Sequence, residues 1–292
     1  MSDAGHAAAT RALKARLFVA LLHLLPQHAL SRLVLRATRS RTRWFKNLLT
    51  RAFLARFALD MGEAVESDPY RYASFNALFT RELKAGARPI AAGASVVVSP
   101  VDGTVSEAGR IDEGRLLQAK GQRYTLEALL AAQPWAARFA NGAFATLYLA
   151  PHDYHRIHMP LDGRLLDTWY VPGRLFSVNP SAVAHVPGLF ARNERVLTLF
   201  EGACGAFALV LVGALNVGSI TTVWAGDVTP APRRRLTRIA SPPLELAKGA
   251  ELGRFNMGST VIVLLESSRS EWLSDVRSGR PVRLGERLGT VA

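Results

Sequence analysis

The chain of 292 residues is 49% apolar and 20% charged, enough to bury a sizeable core and too apolar for disorder. Its single cysteine, Cys204, excludes an intramolecular disulfide and a cysteine-built zinc site. The formal net charge of +13 is uneven: residues 1–60 hold eleven Lys/Arg against two acids, Asp3 and Asp60, so any basic partner surface is mainly N-terminal.

That N-terminal stretch, "RALKARLFVALLHLLPQHALSRLVLRATRSRTRWFKNLLTRAFLARFAL", interleaves arginine with Leu, Phe and Trp at helical spacing. Phe18, Leu21, Leu22 and Leu25 fall on one face, and Trp44, Leu48, Phe53 and Phe57 form a second apolar stripe after "RSRTR". Basic amphipathic helices of this kind lie in the interface of an anionic bilayer. Nucleic acid would call for exposed polar and aromatic residues in place of the leucines, so no nucleic-acid partner is expected. A cleaved secretory signal would fit "LFVALLHLL", but the pattern runs on for thirty residues. A mitochondrial transit peptide would share the Arg-rich, acid-poor character. Residues 1–65 are read as a membrane-associating helical arm.

Beyond the arm, "YRYASFNALFTRELKAGARPI" predicts a short helix with an exit at Pro89. From Val96 the chain turns to short apolar runs punctuated by Gly and Pro, with one helix over Thr125–Ala132. Gly202–Gly226 is 25 residues without a charge, long enough to span a membrane. Its five glycines, Asn216 and β-branched residues fit better as two buried strands, near 206–212 and 217–224, joined by a turn. Cys204, with no charge beside it, reads as a buried, inert thiol. "TPAPRRRL" (229–236) reads as a solvated basic loop. Val261–Leu265 is a β-branched run expected to be a buried strand, with Gly258-Ser259-Thr260 at its mouth. The fold class is α+β: N-terminal amphipathic helices followed by a β-rich body over residues 66–292.

Three stretches carry chemistry. "SPVDGTV" holds Asp102-Gly103, a strong hairpin-turn signal. "LAPHDYHRIHMP" gathers His152, His155 and His158 with Asp153 and Tyr154. Imidazoles suit zinc, though in an extended segment His155 and His158 point to opposite faces and would not converge on one ion unaided; acid–base work and solvated or structural histidines are the other readings. Asp102, a histidine of this cluster and Ser259 then supply an orienter, a base and a nucleophile in an order that triads use. Ser259 lacks the G-x-S-x-G setting of a hydrolase elbow, so the residues point to a histidine-activated serine and leave its target open.

Taken in order, "SPVDGTV", "QAKGQRYTLEALL", "YLAPHDYHRIHMPLDGRL", "YVPGRLFSVNP", "LFARNERV", "VGALNVGSI", "TVWAG" and "GRFNMGSTVIVL" resemble the signature stretches of the pyruvoyl-dependent phosphatidylserine decarboxylases of bacterial type, over roughly residues 70–266. The resemblance implies self-cleavage of Gly258–Ser259, with His158, oriented by Asp102, activating Ser259. It implies a β chain of residues 1–258 and an α chain of 259–292 capped by a covalent pyruvoyl group made from Ser259. Through a Schiff base on that group, phosphatidylserine would become phosphatidylethanolamine, His155 contacting substrate and donating a proton, with Ser177 a weaker member of the pocket. It further implies a homodimer, a peripheral place on the cytoplasmic face of the bacterial inner membrane (the mitochondrial inner membrane if eukaryotic), and no metal. Two alternatives are a biotinyl/lipoyl-like carrier, since "SPVDGTV" and "LAKGAELGRF" resemble hammerhead strand-turn elements with Lys120 the nearest lysine, and a Ser-His-Asp lipid hydrolase.

Overall fold

A computed structural model describes residues 26–119, 121–215, 219–231, 234–266 and 270–292. The stripe through Phe18, Leu21, Leu22 and Leu25, and Lys120, lie outside the described residues. The chain is mixed helix and sheet, with short N-terminal helices and a sheet-rich body. Two arm helices come first, α1 (Gln27–Thr38) and α2 (Arg43–Arg56). A single-turn helix, α3 (Phe75–Phe79), follows, its first turn capped by the Ser74 hydroxyl, which accepts the Ala77 N–H.

Most of the core is one antiparallel sheet. Its six longer strands are β1 (Gly103–Arg110), β2 (Ala143–Tyr148), β4 (Gly163–Val171), β5 (Arg195–Gly202), β6 (Gly205–Val212) and β9 (Thr260–Leu265). They lie in the order β4-β5-β6-β9-β2-β1. A smaller sheet holds β3 (Arg156–His158), β7 (Ile220–Thr222) and β8 (Glu251–Phe255), in the order β7-β8-β3. Strand β9 is the expected apolar run, and all six of its residues are buried because the sheet continues on both sides of it. The residues after position 258 enter three regions at once. β9 lies mid-sheet, Pro281–Val282 pairs with the start of β1, and Arg287–Thr290 pairs with Val96–Val98 and Glu271–Trp272.

Three expectations change. The helix beginning at Thr125 runs only over Leu126–Leu129, because Ala131 and Ala132 turn to positive φ (52° and 56°). The uncharged stretch does not form a hairpin: β6 belongs to the large sheet and β7, three residues long, to the small one. Asp102-Gly103 is not a hairpin tip either, since Gly103 is the first residue of β1. Glycine is required there by close approach, as a Cβ would lie 2.3 Å from the Tyr148 carbonyl oxygen.

The arm helices sit on the body with their polar residues inward. Gln27, Ser31 and Thr38 of α1 and Lys46 and Thr50 of α2 are buried, while Leu33 (63%), Trp44 (71%) and Leu48 (56%) are exposed. The Gln27 carboxamide oxygen accepts the Leu175 N–H at 2.8 Å, and the Lys46 ammonium donates to Tyr70 O at 2.6 Å. The expected Trp44–Phe57 stripe is therefore split. Phe53, half-buried, packs edge-on against Phe75 and Phe79 of α3, with centroids 5.2 and 6.0 Å away.

Leu264→Ala, in the middle of β9, is expected to cost about 2–5 kcal/mol of stability. Urea denaturation measures it.

Candidate active site

Strand register builds the site. Thr260 of β9 pairs with Tyr148 of β2 on one side and Val212 of β6 on the other, and the Leu149 N–H donates to Ser259 O at 2.9 Å. The turn before β9 is thus fastened beside the loop that leaves β2. That loop passes Pro151, and the Asp153 carboxylate accepts the Ala150 N–H at 2.7 Å. The chain then enters β3, where the Phe255 N–H donates to His155 O at 3.0 Å. From the opposite side Asn76 of α3 donates to Asn256 O at 2.8 Å, and Asn256 itself donates to Ser219 O and Thr221 Oγ1. Both flanks of Met257-Gly258 are therefore held.

Within this frame His155 and Ser259 are fully buried. His155 Nδ1 donates to Asp153 O at 2.8 Å, a carbonyl that can only accept, so Nε2 carries the ring's free lone pair. That Nε2 and the Ser259 hydroxyl are both buried without a hydrogen-bond partner among the described residues. Unpaired buried polar atoms are costly and cluster where chemistry is done. A Cβ built on Gly258 would lie 3.5 Å from His155 Nε2 and 3.4 Å from Leu149 O. These are ordinary contact distances, so the imidazole edge stands directly beside the 258–259 linkage. The Phe79 ring packs on His155 at 4.1 Å, and burial lowers the imidazole's pKa to about 3.

His158 is placed differently. Its Nδ1 donates to Gly249 O at 2.8 Å, and its Nε2 meets the Tyr154 hydroxyl at 3.1 Å. Burial lowers its pKa and raises that of Tyr154 to about 12. Asp102, expected to orient His158, accepts no hydrogen bond from it among the described residues. Arg88 takes both carboxylate oxygens of Asp102, at 2.6–3.1 Å, and the Leu284 N–H donates to one of them at 2.8 Å. The physical reason is competition: a guanidinium matches a carboxylate in two places, and Glu63 holds the same guanidinium from behind at 2.8 Å. His152 is half-exposed, 3.7 Å from Asp153, with its ring stacked on Phe57 at 6.4 Å.

A cleft of about 250 Å³ opens beside Gly258. Ser177, Phe79, Leu215 and Met257 line it, with Phe53 and Phe57 from the arm. Ser177 also accepts the Asn179 N–H at 3.4 Å, so it serves the turn before Pro180 as well as the cleft. Arg88, Asn76 and Asn256 went unnoticed in the sequence. Only Asn256 carried a local signal, two residues ahead of the glycine.

The chain belongs to the phosphatidylserine decarboxylase family. The family's sequence profile matches residues 75–290, and a second profile, described as PSD, matches residues 17–58. A phosphatidylserine decarboxylase proenzyme of Pseudomonas fluorescens is 50% identical over 283 residues, covering 95% of this chain and 98% of its own. Those of Azotobacter vinelandii and Pseudomonas entomophila are 49% and 50% identical, covering 95% and 96% of this chain and 99% of theirs.

A buried histidine kept neutral by the fold destabilises it in acid. Below pH 6.5 the unfolded ring takes a proton that the folded His155 refuses until about pH 3, so stability falls as pH drops through that window. Thermal melts of uncut Ser259→Ala protein at pH 7.5 and 5 should show this loss, and adding His155→Asn should shrink it.

Proposed function

We propose that the chain is a proenzyme that cuts its own Gly258–Ser259 bond and, with the pyruvoyl group formed from Ser259, decarboxylates phosphatidylserine to phosphatidylethanolamine at a membrane surface. The observation that carries this is the pair of buried polar atoms without a hydrogen-bond partner among the described residues, Ser259 Oγ and His155 Nε2, the latter within contact range of Gly258.

Balanced by atoms, Ser259 Oγ attacks the Gly258 carbonyl carbon and the C–N bond breaks, leaving an ester and a free amine. Loss of the Ser259 Cα proton then expels the Gly258 carboxylate. Water enters and ammonia leaves, giving a chain of 258 residues and one of 34. The fixed register of β9 holds attacker and carbonyl together, the kind of placement that removes about 7–11 kcal/mol of barrier. The cradle suits the group: it is buried, and Leu149 N–H fixes Ser259 O in place.

When formed, the pyruvoyl carbonyl supplies an electron sink for a departing carboxylate. His155, whose Nε2 lone pair looks toward that position, is the substrate contact and, once Nε2 has taken up a proton, the donor, and Ser177 faces the same cleft. His158 is assigned to self-cleavage, with Tyr154 and the Asp102–Arg88 pair supporting it. Membrane attachment is supported by the inverted arm, with Leu33, Trp44 and Leu48 facing out among Arg32, Arg36, Arg43 and Arg51. Each arginine near an anionic surface contributes about 1 kcal/mol. No helix among the described residues is long and apolar enough to cross a membrane.

Mass spectrometry of the purified protein should show two chains, the smaller with a blocked N-terminus, and Ser259→Ala should leave one. A stable, uncut and active preparation would sink the proposal. His158→Ala is expected to stay uncut, and His155→Ala to cut yet release no carbon dioxide; an uncut His155→Ala would give the cleavage step to His155 instead. Co-sedimentation with anionic vesicles should weaken with added salt and with Trp44→Ser plus Leu48→Ser, and unchanged binding would remove the arm from membrane attachment.

A further inference from the structure

Helix α2 has two working faces. Trp44 and Leu48 are exposed on one of them. Phe53 lies five residues on from Leu48, about 140° further round the helix at 3.6 residues per turn. That rotation brings Phe53, and Phe57 just past the helix end, into the wall of the cleft that has Gly258 in its lining. Aromatic contacts tie this wall to the reacting groups: Phe57 to Phe53 at 4.9 Å, Phe53 to Phe79 at 6.0 Å, and Phe79 to His155 at 4.1 Å.

The cleft has a mixed lining: Ser177 and Asn179 are polar, Phe53, Phe57, Leu215 and Met257 are apolar, and Gly258 lies among them. Its volume of about 250 Å³ lies below the usual range for drug-sized ligands, so a whole diacyl lipid cannot enter. A head group and glycerol can, with the acyl chains leaving past Phe53 and Phe57, where α2 contributes to the wall.

We propose that the C-terminal half of α2 forms one wall of the substrate cleft, with Phe53 and Phe57 packed against the glycerol backbone and first acyl methylenes of the phospholipid. It rests on the decarboxylase reading above and gives the arm a second role, substrate binding, separate from membrane attachment. The selectivity it provides is for acylated over deacylated head groups.

The test measures how affinity depends on acyl length, using monomeric dibutanoyl- and dihexanoyl-phosphatidylserine, which need no membrane. Calorimetry on the full-length, uncut Ser259→Ala protein should show roughly ten-fold tighter binding of the longer lipid, from partial burial of the added methylenes. Phe53→Ala with Phe57→Ala should reduce that gain to less than about two-fold, while Phe53→Leu with Phe57→Leu keeps most of it. Phe57→Ala alone, at the half-exposed rim, should give an intermediate loss. With Ser259 intact, self-cleavage of each variant reports that it folds, and KM of the processed enzyme should follow the same chain-length pattern. A full chain-length gain in the alanine variants would overturn the cleft wall and leave the decarboxylase reading standing. No carbon dioxide release by the processed parent from either lipid would overturn both.

Discussion

Strand β9 is hydrogen-bonded along both edges, and almost everything functional in the molecule is positioned from it. Its pairing with β2 and β6 fixes Thr260 against Tyr148 and Val212, which leaves Ser259 no freedom to slide. A slip of one residue would turn every side chain of the strand to the other face of the sheet. The five apolar residues Val261–Leu265 are almost completely buried, each worth about 1.5–3 kcal/mol relative to exposure. A packing energy of that size holds one hydroxyl at one place. The loop after β2 is held to the same frame by the Leu149–Ser259 hydrogen bond, and it delivers His155 to the glycine beside that hydroxyl.

Around this point the molecule leaves polar atoms unpaired where a stable fold would pair them, and pairs others very heavily. Among the described residues His155 Nε2 and Ser259 Oγ have no hydrogen-bond partner, while the Asp102 carboxylate has Arg88 and the Leu284 N–H. The second arrangement joins distant parts of the chain: Glu63 at the end of the arm, Arg88 beyond it, Asp102 just before β1, and Leu284 from the C-terminal residues. Asp102 is thus a structural junction as well as a charge near His158. The arm shows a similar division: Gln27, Ser31, Thr38, Lys46 and Thr50 are turned to the body together with Phe53, while Leu33, Trp44 and Leu48 are exposed.

How much of this was legible in the sequence follows from the range of the forces involved. Strand β9 could be read because five consecutive apolar, mostly β-branched residues have few other homes. The histidines and Gly258-Ser259 were legible as local clusters. Asp102 was found, but its partner was not, because the residues that compete for its carboxylate lie 14 and 182 positions away. Periodicity also revealed apolar stripes on the arm without saying which side faces the protein. That depends on what the body offers, here carbonyls and N–H groups for Gln27 and Lys46. The separation of β6 from β7 was hidden for a related reason: a loop between two apolar runs looks the same whether they join one sheet or two.

The placement of the C-terminal residues bears on how such a protein can be made. Residues 259–292 enter as part of one continuous chain, and the strand they supply lies in mid-sheet, where insertion after the rest had closed would require two neighbouring strands to part. A chain that cuts itself at 258–259 therefore folds once as a single molecule and persists as two. Unfolding it afterwards would change the molecularity of the problem, since two pieces would have to find each other, and the serine that made the cut would no longer exist. Its lifetime would then be set by the barrier to opening the sheet and not by an equilibrium with its unfolded form.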